Sequence, residues 1–152
     1  LIAVHQTGLP SIVLWPNSDA GSDDISRGIR KWREQGKAGN MHFFKNLPID
    51  TYVKLLNRTA CLVGNSSSGI REGAYIGTPV VNIGSRQDGR QRASNVVDVT
   101  FNSKDIYNAI INQVSHGRYL SDPIYGDGSS GRRIADILAT LPDINVQKRI
   151  TY

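Results

Sequence analysis

The stretch from Gly64 to Arg90 constrains the fold more than any other part of the sequence. The apolar run 61–63 predicts a strand, and the spacing of apolar residues between 70 and 76 predicts a helix after it. Thr78-Pro79 ends that helix, and the run 80–83 predicts the next strand. Three serines and two glycines therefore lie in a strand-to-helix turn. Free backbone N–H groups and the helix dipole favour an anion at such a turn.

A second polar loop, residues 84–90, follows the strand at 80–83 and contains Arg86 and Arg90. The carboxyl ends of parallel strands meet at one edge of an α/β sheet, which is where ligands bind in such folds. Hydroxyl, amide and guanidinium groups of the two loops would converge there. The pattern predicts a site for a phosphate ester.

Strands and helices alternate along the whole chain. Strands are predicted at 11–15, 41–44, 60–64, 80–83 and 96–99, and helices at 1–9, 22–35, 49–58, 69–77, from about 103, and from about 130 to 140. This alternation predicts an α/β domain with a mostly parallel sheet and helices on both faces.

Helix ends and apolar faces can also be predicted. Ser22 or Asp23 is expected to cap the helix at 22–35, and Asn102 or Ser103 to cap the helix that follows the last strand. The last helix is expected to turn four apolar side chains inward: Ile134, Ile137, Leu138 and Leu141.

A chain of 152 residues with 39% hydrophobic residues can bury the core of one domain. We assign residues 1–141 to that domain and 142–152 to a C-terminal tail. The sequence begins with Leu1 rather than Met, from which we expect a longer protein. No signal peptide is recognisable, and no run reaches the roughly 18 apolar residues of a membrane span. The single cysteine, Cys61, is expected to be a buried structural thiol, and we expect the protein to be cytoplasmic.

The net charge of +5 raises the question of a nucleic-acid partner. The basic residues are scattered, however, and the few aromatic residues do not interleave with them, so nucleic-acid binding is not expected. An anionic small ligand or an acidic domain outside this chain fits the charge better.

The spacing of the candidate residues argues against a P-loop, a dinucleotide-binding turn and a metal site. Gly64-x4-Gly69 resembles the start of a P-loop, but Ile70 and Arg71 stand where Lys and Ser or Thr are required, so ATP or GTP hydrolysis is not expected. The dinucleotide fingerprint is absent from this turn. The three histidines lack metal-ligand spacing with Cys61, so neither a metal nor a cofactor is expected.

The remaining candidates form a metal-free anion site. Backbone N–H groups around Gly69 and the hydroxyls of Ser66, Ser67 and Ser68 could hold a diphosphate, although helix capping alone would explain one of the serines. Arg86 could grip the same group in bidentate fashion.

Two further kinds of residue are less specific. Glu72 could accept hydrogen bonds from a ribose diol, or could only complement the helix dipole. Asn17 and Asp19 follow the first strand, where Asx residues also form turns.

Two long motifs carry a family resemblance. Asn65-Ser66-Ser67-Ser68-Gly69-Ile70-Arg71-Glu72-Gly73-Ala74 and Gly77-Thr78-Pro79-Val80-Val81-Asn82-Ile83-Gly84-Ser85-Arg86-Gln87 closely resemble the hydrolysing UDP-N-acetylglucosamine 2-epimerase family. Pro16 to Ser22 and Tyr125 to Gly128 resemble its signatures too, so the likeness spans about residues 12–139. The family has the glycosyltransferase-B fold, two Rossmann-like domains with the nucleotide sugar between them. The chain resembles the C-terminal, UDP-binding domain.

The resemblance also implies roles by position. Ser66 and Ser67 would contact the diphosphate, Glu72 the ribose and Arg86 the phosphates. Asn17 would line the cleft, and the backbone near Asn46 and Leu47 would meet the uracil. The implied partners are UDP-N-acetylglucosamine or a related UDP-sugar, an N-terminal domain with the catalytic carboxylates, and further copies of the chain in a dimer or tetramer.

The reaction implied by the resemblance is elimination of UDP to a 2-acetamidoglucal, followed by addition of water to give a free 2-epimerised sugar. Three alternatives remain open: a UDP-sugar glycosyltransferase of the same fold, a non-hydrolysing epimerase, and a non-catalytic nucleotide-sugar-binding domain. The non-hydrolysing enzymes resemble this chain less, because they have Asp-Ser-Gly-Gly in place of the serine run.

Overall fold

The structure, a computed structural model, describes residues 1–17 and 21–142. Within them the helices are α1 (Ile2–Gln6), α2 (Ser22–Glu34), α3 (Ile49–Arg58), α4 (Ser67–Ile70), α5 (Glu72–Ile76), α6 (Ser103–His116) and α7 (Ser130–Thr140). The strands are β1 (Ser11–Leu14), β2 (Met41–Phe44), β3 (Leu62–Gly64), β4 (Val80–Ile83) and β5 (Val96–Val99). The predicted strands are confirmed to within about two residues at each end. The predicted tail lies outside the described residues from position 143 onward.

All five strands pair in parallel. Strand β1 pairs with β2, and β3, β4 and β5 form a second sheet in that order. We predicted a single mostly parallel sheet, whereas hydrogen bonding divides the described strands into a pair and a triplet. The α/β class with parallel strands is confirmed.

Helices cover both faces of the three-stranded sheet. Successive side chains of β4 point to opposite faces, so their neighbours show which helix lies on each face. Val81 is fully buried and packs with Ala3 of α1 and with Ala109 and Ile110 of α6. Val80 faces the other side, where a Cβ added to Gly69 of α4 would lie 3.0 Å from its Cγ1. The predicted two-sided covering is therefore confirmed for this sheet.

A buried amide network joins α6 to the sheet and to α4. Gln113 Nε2 donates to the carbonyls of Val80 (2.8 Å) and Asn95 (2.9 Å), and Tyr119 donates to Gln113 Oε1 at 2.7 Å. Asn95 Nδ2 donates to the carbonyls of Thr78 (2.8 Å) and Gly69 (3.3 Å). The network satisfies carbonyls that water cannot reach, and its bond from Asn95 to Gly69 holds the helix that follows β3.

Our prediction for the last helix was wrong. Ile134, Ile137, Leu138 and Leu141 are 56%, 58%, 61% and 44% exposed, respectively. Helix α7 does have an apolar stripe, but none of its residues is buried. A helical period shows which side chains share a face, and burial depends on what lies opposite.

The predicted N-cap of α2 was also wrong, whereas that of α6 is confirmed. The residue before α2 is Gly21 in a left-handed conformation (φ 83°), and Ser22 is already helical. Glycine reaches this conformation without steric cost, so the chain enters the helix without a side-chain cap. At α6, Asn102 Oδ1 accepts the N–H groups of Lys104 and Asp105 at 2.9 and 3.2 Å.

Neither a membrane-spanning helix nor a group of metal ligands is found among the described residues. No helix within residues 1–17 and 21–142 combines the length and the apolarity that a membrane crossing requires. Over the same ranges, no three His, Cys, Asp or Glu side chains are grouped so that they could hold a metal ion.

The Cys61 thiol should react very slowly with iodoacetamide in the folded protein. Burial raises its pKa to about 12, against a smaller opposing effect of a backbone hydrogen bond from Val81. Only the thiolate is nucleophilic, so at pH 8 we expect alkylation at least about a hundredfold slower than in urea. Cys61 is half-buried rather than fully buried as predicted. Mass spectrometry of timed samples measures both rates, and equal rates would mean that the fold does not shield the thiol.

Candidate functional site

The serine turn connects β3 to α4. Strand β3 ends at Gly64, and Ser66 is the N-cap of α4, its Oγ accepting the N–H of Ser68 at 3.3 Å. The helix predicted at 69–77 begins earlier, at Ser67, and is divided at Arg71 into α4 and α5. The predicted strand–turn–helix unit is confirmed, with its helical part broken after one turn.

The hydroxyls of the turn form a chain that reaches α3. Ser66 Oγ and Ser68 Oγ lie 2.9 Å apart, and the Tyr52 hydroxyl makes a short hydrogen bond to Ser68 Oγ. Tyr52 belongs to α3, which follows β2. Tyr52 could not be predicted from the sequence, because its only local signal is a place in an amphipathic helix and its partner lies 16 residues away.

The loop after β4 contacts the serine turn directly. Arg86 Nη1 and Gln87 Nε2 both donate to the carbonyl oxygen of Asn65, at 3.0 and 2.7 Å. Gln87 is only 3% exposed, whereas Arg86 is exposed. The predicted meeting of the two loops is confirmed, and Gln87 is a second site residue that was not predicted from the sequence.

An ion pair supports this loop from β5. The guanidinium of Arg92 lies 3.2 Å from Asp98 Oδ2, and its Nη1 donates to the carbonyl of Gln87 at 2.9 Å. Asp98 Oδ1 also accepts from Asn82 Nδ2 of β4 at 2.6 Å. Strands β4 and β5 therefore hold the loop that contains Arg86 through side chains as well as through the backbone.

The other candidates of the serine turn differ in exposure. Ser67 is half-buried at the start of α4, and Glu72 is exposed at the start of α5. Gly69 is buried, and a Cβ there would lie 2.8 Å from Leu62 Cδ2. Close packing on β3 is thus a sufficient reason for glycine at position 69.

Three candidates follow the paired strands β1 and β2. Asn17 is exposed beyond β1, and Asn46 is exposed beyond β2, where its Oδ1 accepts the N–H of Leu47 at 2.8 Å. Asp19 lies outside the described residues. Tyr52, six residues after Asn46, contacts Ser68 and so brings the segment after β2 beside the serine turn.

The assembled groups suit an anion. Serine hydroxyls, the turn's backbone and one exposed guanidinium are hydrogen-bond donors, and a charge-assisted pair between arginine and phosphate is stronger than a neutral one. Strands that run parallel and end at donor-rich loops define the class of α/β proteins in which ligands occupy the carboxyl edge of the sheet.

Comparison with known proteins identifies the family. Residues 1–139 match the model of the UDP-N-acetylglucosamine 2-epimerase family, and the chain belongs to this family. The family resemblance predicted from the serine and arginine motifs is confirmed.

Three curated relatives match between 41% and 97% of the chain. A UDP-N-acetylglucosamine 2-epimerase of Neisseria meningitidis serogroup B is 28% identical over 97% of this chain and 39% of its own length. A hydrolysing UDP-N,N'-diacetylbacillosamine 2-epimerase of Legionella pneumophila is 33% identical over 92% of this chain and 36% of its own length. A hydrolysing GDP/UDP-N,N'-diacetylbacillosamine 2-epimerase of Campylobacter jejuni is 44% identical over 41% of this chain and 16% of its own length. The chain thus spans less than two-fifths of the length of these relatives.

Proposed function

We propose that residues 1–141 are the C-terminal, UDP-binding domain of a hydrolysing UDP-N-acetylglucosamine 2-epimerase or of an enzyme acting on a related UDP-2-acetamido sugar. The observation that supports this most is the shared hydrogen bonding of Arg86 and Gln87 to the Asn65 carbonyl. It brings an exposed cation beside the serine turn, as a diphosphate site requires.

In the proposed complex the diphosphate lies between the two loops. Ser66, Ser67, Ser68 and the backbone at Gly69 line the diphosphate on one side, where the hydroxyls of Ser66 and Ser67 donate to it, and Arg86 donates from the other. Such donors stabilise the negative charge that develops on UDP as its bond to the sugar breaks. This is an electrostatic contribution and needs no metal.

The nucleoside is proposed to extend from the diphosphate towards β2. Glu72 accepts hydrogen bonds from the ribose, and Asn17 lines the cleft. The uracil meets the backbone at Asn46 and Leu47. The Leu47 N–H donates to Asn46 Oδ1. In the proposed complex a uracil carbonyl replaces that side-chain oxygen as the acceptor.

The proposed reaction has two steps. Removal of the proton at C2 of the sugar and departure of UDP from C1 leave a 2-acetamidoglucal; water then adds across the double bond and returns a proton to C2 on the opposite face. The products are UDP and the free 2-epimerised sugar. This chain stabilises the leaving UDP, while the base belongs to an N-terminal domain, with which the chain forms the complete enzyme in the cytoplasm as a dimer or tetramer.

The activities of two relatives favour hydrolysis over the non-hydrolysing alternative, since the Legionella pneumophila and Campylobacter jejuni proteins are hydrolysing 2-epimerases. A sugar assay on the full-length enzyme separates the two. Free 2-epimerised sugar supports the proposal, and a product still attached to UDP would replace it with the non-hydrolysing reaction.

Calorimetric titration of UDP into the wild-type protein and two variants tests the site. Arg86→Ala should weaken binding about ten- to a hundredfold, because hydrogen bonds to charged groups contribute about 1.5–3 kcal/mol, and Ser67→Ala should weaken it less. In Arg86→Ala the Asn65 carbonyl keeps its bond from Gln87, so the loops stay joined.

Arg132→Ala is the matched control for Arg86→Ala. It removes one positive charge from α7, where the Arg132 side chain is 87% exposed. Unchanged affinity in this variant assigns the effect of Arg86→Ala to the site rather than to net charge. Equal affinities in all four proteins, or no binding of UDP to the wild-type protein or to the full-length enzyme, would refute the proposal.

A further inference from the structure

We infer that Tyr52 is a positioning residue for the diphosphate site. It acts through a hydroxyl relay, defined as Tyr52, Ser68 and Ser66, which aims the Ser66 hydroxyl hydrogen at the ligand. This inference rests on the proposed function. If the proposed function holds, the relay makes the exposed Ser66 hydroxyl selective for a group that only accepts hydrogen bonds, such as a phosphate oxygen.

The relay is continuous in the structure. The Tyr52 hydroxyl bonds to Ser68 Oγ, which lies 2.9 Å from Ser66 Oγ. Ser66 Oγ also accepts the backbone N–H of Ser68 at 3.3 Å. Solvent exposure increases along the hydroxyl relay, since Tyr52 and Ser68 are half-buried and Ser66 is exposed.

The distances alone allow three arrangements of donation. If Ser66 donates to Ser68 and Ser68 donates to Tyr52, the phenol hydrogen is left without an acceptor among the described residues, in a half-buried position. If Tyr52 donates to Ser68 and Ser68 donates to Ser66, the hydrogen left over belongs to the exposed Ser66. If Tyr52 and Ser66 both donate to Ser68, the hydrogen left over belongs to Ser68, which is also half-buried. An unpaired donor costs free energy when buried and almost none when exposed to water or to a ligand, so donation from Tyr52 through Ser68 to Ser66 is favoured.

The favoured direction makes Ser66 a donor. Its oxygen then accepts from both the O–H and the N–H of Ser68, which occupies the two lone pairs of a hydroxyl. The Ser66 hydrogen has to point away from both, out of the turn. A diphosphate oxygen there completes the relay, whereas a ligand hydroxyl that needs an acceptor finds none at this atom.

Tyr52→Phe tests the inference because it removes the first donor and keeps the ring. In titrations of UDP we expect binding about three- to tenfold weaker than in the wild-type protein, the usual effect of one neutral hydrogen bond. Tyr119→Phe is the matched control, since it also removes one half-buried phenol hydrogen bond, but to Gln113 in the core. It should leave the affinity for UDP unchanged even if it lowers the melting temperature.

A double-mutant cycle with Ser66→Ala distinguishes the relay from a purely structural role of Tyr52. If Tyr52 acts through the Ser66 hydroxyl, Tyr52→Phe has no further effect once that hydroxyl is gone. Additive losses, or wild-type affinity in Tyr52→Phe, would overturn the inference while UDP binding by the wild-type protein still supports the proposed function. Failure of the wild-type protein to bind UDP would remove the proposed function, and the inference with it.

Discussion

Asn95→Asp is expected to lower the free energy of unfolding by about 3–5 kcal/mol at neutral pH, the usual cost of an unpaired buried charge. The side chain of Asn95 is 1% exposed, and its Nδ2 donates to the carbonyls of Thr78 and Gly69. The substitution keeps the shape but replaces that donor with an oxygen. A carboxylate would then face two carbonyl oxygens in the interior.

The effect of Asn95→Asp should depend on pH. Burial beside acceptors raises the pKa of the new carboxyl above its unfolded value of about 3.9. Below that value the acid is neutral in both states and can donate to one of the carbonyls. The stability deficit therefore grows as pH rises from about 4 through the raised pKa and is constant above it.

Urea denaturation at pH 7 and pH 4, followed by circular dichroism, measures the deficit of Asn95→Asp relative to the wild-type protein at each pH. Asn108→Asp is the control, because it makes the same change at an exposed position of α6 and should stay within about 0.5 kcal/mol of wild type. A deficit equal to that of the control, or one that does not shrink at pH 4, would contradict the buried donor role of Asn95.

Gly77→Ala is expected to destabilise the protein by about 2–4 kcal/mol and to lower the melting temperature by about 5–15 °C. Gly77 follows α5 with φ 77°, and an added Cβ would lie 2.1 Å from the Tyr119 carbonyl oxygen. That backbone cannot move away easily, because the Tyr119 N–H donates to the Gly77 carbonyl at 3.0 Å.

Gly77→Ala has two costs, an alanine in left-handed backbone and a clash with the Tyr119 carbonyl. Gly36→Ala measures the first cost alone. Gly36 has a similar φ of 68°, but no atom lies within 4 Å of the position of its Cβ. It should lose only the cost of left-handed backbone, about 1–2 kcal/mol. Thermal unfolding of both variants measures the difference, and equal losses would mean that the clash with Tyr119 contributes nothing.

The parts of the fold that the sequence predicted are those determined by local pattern. The run Val80 to Ile83 is apolar and bounded by Pro79 and Gly84, so its strand could be placed to the residue. The serine turn was also predictable, because a strand signal, small polar residues and a helical period follow each other directly. Such elements can be predicted from adjacent residues alone, without knowing which distant residues they contact.

The parts that could not be predicted depend on contacts between distant residues. Tyr52 and Gln87 join the candidate site through partners 16 and 22 residues away. The apolar stripe of α7 resembles that of a buried helix, but what covers a stripe is decided by the rest of the fold. Gly21 leads into α2 by its conformation alone, which a search for side-chain caps cannot find.

The two donors on the Asn65 carbonyl also affect the far side of the same peptide unit. Arg86 and Gln87 draw electron density towards that oxygen, and resonance passes the change to the nitrogen of Ser66, whose N–H becomes more polar. A cation on one loop thus strengthens a neutral donor on the other through a single amide plane. Loss of Arg86 would remove its own positive charge and, in addition, weaken a dipole that belongs to the serine turn.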